Sequence, residues 1–306
     1  MAELQSRSRL DRKFDKLLAQ EETGRVKKSR LPRALRKMLQ NRLAVIGLAV
    51  FLVIFLSCAL APVLSPYDPM KTDLRSRNQP PSWQHLFGTD KLGRDVFTRT
   101  LYGGRLSILI GLGSALAAAV IGVLLGCYGG YKGGWFDKVI LRLSEVVMSF
   151  PQLILVLMLG TIFGRGLWNL ILIFVITGWG GVYRQARARM LSLREEEYVQ
   201  SMRAFGVSDL KIAYKHMLPN AIGPVVVNLT LSTAMFILDE AAMSFLGLGD
   251  PNVISWGQMI FDGKQYLTSG WWMSTFAGLC IMLIVMIFYL IGDGLNYALN
   301  PKMKKI

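Results

Sequence analysis

Histidine and cysteine are nearly absent from this 306-residue chain, at two and three copies. Cys58, Cys127 and Cys280 each fall inside an apolar run, with no pairwise motif spacing and no polar neighbour to favour a thiolate, so they read as small packing residues. His85 and His216 lie far apart, which argues against a metal or hydrolytic site built on histidine. No stretch ends in Gly-Lys-Ser/Thr as a phosphate-cradling loop does; the single Gly263-Lys264 pair is followed by Gln265. Gly111-Leu112-Gly113-Ser114-Ala115-Leu116 starts like a dinucleotide fingerprint but lacks the third glycine and sits in an apolar run. With Ala117 to Ala119, Gly122 and Gly126 it instead offers a small-residue face for close helix packing. If the protein does energised work, the energy comes from another chain. Acid is also scarce, 20 Asp and Glu against 35 Lys and Arg. In a soluble protein that net charge of +15 would suggest nucleic acid.

What is abundant is apolar sequence. Hydrophobic residues make up 52% of the chain, room for about six spans of roughly 20 residues plus loops. The runs are Leu43–Leu64, Leu106–Tyr128, about Val139–Phe163, Leu167–Val182, Ala221–Leu248 and about Ser274–Leu295. Six spans leave both ends on one side. Residues 1–42 carry thirteen Lys or Arg, and the 299–306 tail adds Lys302, Lys304 and Lys305, so both ends are expected in the cytoplasm. The 184–219 connection then lies inside as well. The 65–105 loop, expected outside, has seven basic residues, several alternating with Asp68, Asp73, Asp90 and Asp95. Residues 106–298 would form the main five-helix transmembrane unit. No cleavable leader is evident, so Leu43–Leu64 reads as an uncleaved anchor. Leu31–Ala44, with Leu31, Leu35, Met38, Leu39 and Leu43 on one stripe, reads either as a basic amphipathic helix on the inner leaflet or as the start of that anchor.

Polar residues inside apolar runs need a reason. Arg142 and Glu145 can pair at i, i+3 as a structural salt bridge. Asp239 and Glu240 are adjacent and so turn to different faces; Glu240 is expected to hold an interhelical hydrogen bond and Asp239 to approach a water-filled pathway.

The 184–219 connection is the one polar helical hairpin between spans. Leu191, Tyr198, Met202 and Phe205 are expected on one stripe, and Gly206 permits a backbone turn that a side chain would obstruct. Ser208 is placed to cap the next helix with Asp209 in its first turn; Leu210, Ala213, Tyr214 and Met217 follow on one face before Leu218-Pro219 ends it. Lipid cannot satisfy such a segment, so it is expected to offer a docking surface in the water.

The hairpin resembles the coupling-helix motif of ATP-binding-cassette importer permeases: Glu-Ala-Ala, three residues, Gly, nine residues, Ile, one residue, Leu-Pro. Here Gln200-Ser201-Met202 replaces Glu-Ala-Ala and His216 replaces Ile, with Gly206 and Leu218-Pro219 intact. Other blocks are similar to the second permease subunit of the oligopeptide, dipeptide and nickel branch. They are Phe87-Gly88-Thr89-Asp90-Lys91-Leu92-Gly93-Arg94-Asp95 with Arg99, Tyr102-Gly103, Arg105 and Ser107; Glu240 with Ser244–Gly249 and Ser255-Trp256-Gly257; and Leu290–Leu295. Glu145 stands where the branch has Asp, and Ala277 where the last span commonly has Pro.

The resemblance implies an all-α membrane protein of six transmembrane helices with the type I importer permease fold, in a bacterial inner membrane, its N-terminus cytoplasmic. It implies a second homologous permease subunit, two cytoplasmic ATPases that carry the ATP and Mg, and an extracytoplasmic binding protein; this chain itself would hold no cofactor and catalyse nothing. ATPase contact would fall to Arg203, Ala204, Phe205, Gly206, Val207, Ser208, Asp209 and Leu210, although Phe205 could instead bury against the spans. In the outer loop Gly88, Asp90, Gly93, Arg94 and Asp95 would order the mouth rather than touch substrate. Short peptides rank first as substrate, before nickel chelates or another small solute. The competing class is an ion-coupled secondary transporter with Asp239 and Glu240 as ion ligands, but no internal inverted repeat supports it.

Overall fold

A computed structural model describes residues 37–299. Residues 31–36 of the Leu31–Ala44 stripe, with Leu31 and Leu35, and the basic tail beyond Leu299 lie outside the described residues. The elements are α1 (Arg42–Ala59), α2 (Ala61–Leu64), α3 (Val96–Lys132), α4 (Gly134–Met148), α5 (Gln152–Phe163), α6 (Leu167–Arg194), α7 (Glu197–Ala204), a π-helical segment Lys211–Met217, α8 (Leu218–Phe245), α9 (Trp256–Gly263) and α10 (Trp272–Leu299). Among the described residues there is no strand, only an isolated bridge between Thr89 and Asp95.

Five helical rods are long and apolar enough to cross a membrane: α1, α3, α6, the π segment with α8, and α10. The third apolar run, expected as a span over about Val139–Phe163, is not one helix. Here α4 and α5 meet at 92°, broken at Ser149–Pro151. Pro151 has no N–H to donate and disfavours helical backbone at Phe150 before it, so the helix stops although the apolar composition runs on. Two boundaries also move. The helix expected from Leu106 starts at Val96, because Asp95 accepts from Thr98 N at 2.7 Å as its N-cap, and α6 runs past Val182 to Arg194.

The centre is α3 laid against α6. Gly122 and Gly126, four residues apart, bring the two backbones together: a Cβ on Gly126 would stand 2.6 Å from Tyr183 O and 2.8 Å from Ala186 Cβ. A second apolar cluster joins α3, α8, α9 and α10 around the fully buried Trp256, with Ile108, Ile237 and Ile284. Phe174 on α6 and Phe236 on α8 stack at 5.0 Å between centroids. Helix α1 packs Ala44 and Gly47 on α10 and leaves Leu43, Ile46, Val53 and Leu56 exposed, as a helix at the edge of a bundle in lipid does.

Candidate functional site

The hairpin departs from the expected pattern in three ways, and each has a physical cause. First, its leading arm is not one helix. The chain leaves α6 at Glu195–Glu196 and restarts as α7, so the stripe from Leu191 to Phe205 is never formed. Val199 points inward, while Tyr198 is exposed. Second, Ser208 makes no side-chain cap; its carbonyl accepts from Ile212 N at 3.0 Å. Third, Leu218-Pro219 does not end the helix. The π-helical segment flows into α8, with Leu218 N donating to Ala213 O. The wide π turn accommodates a residue that lacks an N–H, and Pro219 falls in the first turn of α8, where the missing donor costs little.

What holds the hairpin is its underside. Val199, Ile212, Ala213 and Met217 are buried with Cys127, Tyr131, Met190, Leu193 and Ala221. Tyr131, near the end of α3, ties both arms: its hydroxyl donates to Asp209 Oδ1 at 2.8 Å and accepts from Arg203 Nε at 3.1 Å, and the Arg203 guanidinium lies 4.7 Å above its ring. Tyr214 donates to Leu124 O at 2.9 Å. Between the arms Gly206 sits at φ +74° with its N–H on Arg203 O at 2.9 Å, and open space lies where a Cβ would go. The turn requires glycine for its backbone conformation, not for room. Phe205 at the apex is 87% exposed, so burial against the spans is excluded. Gln200, Ser201, Ala204, Ser208 and Leu210 are exposed beside it, while Val207 and His216 are half-buried and Pro219 is exposed at the base.

The two acids of α8 occupy different surroundings. Glu240 is buried and accepts from Ser255 Oγ at 2.7 Å, Ser244 Oγ at 2.9 Å and Ser107 Oγ at 3.3 Å. Three separate sequence blocks therefore meet on one carboxylate. Ser107 in turn accepts from Trp256 N at 3.1 Å, and Trp256 Nε1 donates to Thr100 O at 2.8 Å, so Glu240 sits at the node that joins α3, α8 and α9. Asp239 faces α5 and accepts from Gln152 Nε2 at 2.6 Å. Arg142 and Glu145 pair at 2.8 Å on an exposed face.

The 65–95 segment is a wrapped loop. Asp90 accepts from Leu92 N, Arg94 N and Arg94 Nε at 2.7–2.9 Å. Asp95 pairs with His85 Nδ1 at 2.9 Å while it caps α3. Gly88 and Gly93 both sit at φ +75°, and a side chain on Gly93 would overlap the backbone of Asp73. The Asp73 carboxylate is held below the usual range by the Ser76 hydroxyl and Arg75 N–H it accepts. Asp262 on α9 faces Lys91 at 3.2 Å, Arg94 at 3.7 Å and Arg99 at 3.9 Å, joining the loop to the helices.

Sequence reasoning missed Tyr131 and Asp262. It also missed the buried Asp137, which Arg187 holds with two bonds of 2.6 Å and Tyr183 with one of 2.7 Å, fastening α4 to α6. The one available signal was Tyr183 and Arg187 at i, i+4 with a lone acid at the start of the third apolar run.

A polytopic helical chain with a self-supported polar hairpin, bare at its apex, has the build of a multi-pass membrane permease. The comparisons give the family. Residues 118–305 match a family described as binding-protein-dependent transport system inner membrane component, and residues 29–81 match the N-terminal transmembrane domain of oligopeptide transport permease C. The dipeptide transport system permease protein DppC of Bacillus subtilis is 40% identical over 274 residues, covering 89% of this chain and 86% of the relative. The oligopeptide transport system permease protein OppC of the same organism is 38% identical over 273 residues, covering 89% and 90%. An inward-facing structure of the MetNI methionine ABC transporter aligns with a TM-score of 0.52 at 19% identity, over 67% of this chain and 97% of that one, and supports the fold. The chain belongs to the binding-protein-dependent transport system inner membrane component family, and its fold is the permease fold of a type I ABC importer.

Proposed function

We propose that this chain is one half of the pore of an ATP-driven importer of short peptides. It pairs with a second homologous permease, receives cargo from an extracytoplasmic binding protein, and takes work from two cytoplasmic ATPases. Its relatives carry dipeptide and oligopeptide names, which supports peptides over metal chelates. The observation that carries the coupling role is the apex at Phe205-Gly206. A large apolar side chain, 87% exposed, is presented by a turn that is itself rigidly anchored from below. Exposed aromatics on fixed turns make interface anchors, and the basic N-terminal segment supports a cytoplasmic location for this side of the protein, where ATPases are found.

The test is reconstitution of the whole complex in proteoliposomes with Phe205→Asp. Peptide uptake and peptide-stimulated ATP hydrolysis are expected to fall more than about tenfold, with the chain still inserted and paired with its fellow permease. Undiminished uptake by the variant overturns the docking role.

A further inference from the structure

Where α4 and α5 break apart, they leave an open cavity of about 360 Å³ against α6 and α8. No charged side chain lines it. Its polar groups are few and each has a fixed direction. The Thr177 hydroxyl is turned away onto Ile173 O at 3.0 Å. On α8, Asn228, Ser232, Met235 and Asp239 follow one another at i, i+4, i+7 and i+11, one stripe of the helix. Ser232 Oγ donates to Asn228 Oδ1 at 3.0 Å, which leaves the amide N–H groups of Asn228, a residue of the cavity wall, without a side-chain partner among the described residues. Asp239, at the far end of the stripe, is buried and does not line the cavity. It reaches the cavity through Gln152, whose Nε2 donates to its Oδ2 at 2.6 Å.

A carboxylate accepts and does not donate, so the Gln152 amide has one orientation open to it: N–H groups on Asp239, carbonyl oxygen outward. Gln152 is exposed, and its Oε1 has no protein partner among the described residues. The uncharged wall therefore shows an acceptor on the α5 side and a donor on the α8 side.

We propose that Gln152 Oε1 is a cargo contact that favours cationic and N–H-bearing groups on the way through, and that Asp239 is the positioning residue that locks the amide in that sense. A neutral acceptor backed by a buried carboxylate attracts a positive group without the tight binding that a bare carboxylate on the wall would give. This rests on the peptide-import reading above and adds to it a polarity for the route.

The experiment uses the full transporter in proteoliposomes with saturating binding protein, and measures the uptake rates of trilysine and triglutamate. In Asp239→Asn the partner amide both donates and accepts, so Gln152 is free to turn. The trilysine-to-triglutamate rate ratio is expected to fall at least about threefold from wild type, and Gln152→Met to lower it similarly. Combining the two should lower it no further, because one change acts through the other. Equal slowing of both peptides in Asp239→Asn would reduce Asp239 to a structural role and overturn the proposal. So would a full additional drop from Asp239→Asn in the Gln152→Met background.

A second measurement needs no transport. With Cys58, Cys127 and Cys280 replaced by alanine, Met235→Cys on the cavity wall is modified by cationic and by anionic methanethiosulfonates. Gln152→Met should lower the cationic-to-anionic rate ratio, and an unchanged ratio overturns the proposal. If the wild-type complex imports neither peptide, the peptide reading fails, and the thiol ratio still decides what the wall presents.

Discussion

The 65–95 segment and the hairpin over 195–219 are the two substantial polar connections in the described chain, and they are held by opposite means. The loop is fastened from within, by backbone and side-chain bonds around Asp90 and Asp95 and by two glycines in the left-handed region. It closes on the helices through Asp262. The hairpin has little bonding at its apex and is fastened from beneath, by Val199, Ile212, Ala213 and Met217 and by the hydroxyl of Tyr131. One is a structure that would keep its shape with nothing on it. The other is an exposed edge, with Phe205 bare at its turn, which is the ground for the docking role proposed above.

The sharpest way to break the contrast is at Gly93. Valine there meets the Asp73 backbone and must also hold φ +75°, a conformation that β-branched residues strongly disfavour. We expect a loss on the order of 3 kcal/mol or more, seen as a large drop in the thermal midpoint of the purified complex and as protease cutting between residues 65 and 95. A valine variant as stable as wild type would mean that the loop is not a rigid body.

Asp95→Ala should do less. It removes the cap of α3 and the partner of His85, and leaves Thr98 N and the Ser65–Thr98 hydroxyl pair without their carboxylate. The expected cost is about 1–2 kcal/mol, with Asp95→Asn recovering part of it because an amide oxygen still accepts from Thr98 N. If Asn is no better than Ala, the charge toward His85 matters more than the cap.

Much of this architecture was legible in the sequence, and the failures share a cause. Hydropathy runs located the crossings because lipid demands them regardless of packing. The stripe of Gly122 and Gly126 was readable because close approach of two helices leaves no alternative to small residues. Composition did not show the break at Ser149–Pro151, since apolar residues continue through it and only Pro151 marks it. The same residue type misled in the other direction at Pro219, where a π-helical turn absorbs the missing donor and the helix continues. The Asp137–Arg187 pair spans fifty positions, beyond any helical spacing rule. Likewise, the tie of Gln152 to Asp239 depends on how α5 folds back across α8, which no local pattern records.

The smallest effect on stability is expected where the effect on function is expected to be greatest. Phe205 sits 87% exposed and past the end of α7, with its backbone N–H on Ser201 O at 3.0 Å whatever its side chain. Truncation to alanine removes almost no buried surface, so Phe205→Ala should leave the thermal midpoint of the isolated permease pair within about 0.5 kcal/mol of wild type. Tyr131→Phe is the informative comparison, because it keeps the ring under Arg203 and removes only the hydroxyl, with its bond to Asp209 and the one it accepts from Arg203 Nε. It should cost about 1 kcal/mol, more than Phe205→Ala, although Tyr131 lies buried beneath the exposed apex. An inverted order, with Phe205→Ala the more destabilising, would show that the apex packs on this chain itself and would remove the ground for reading it as a docking edge.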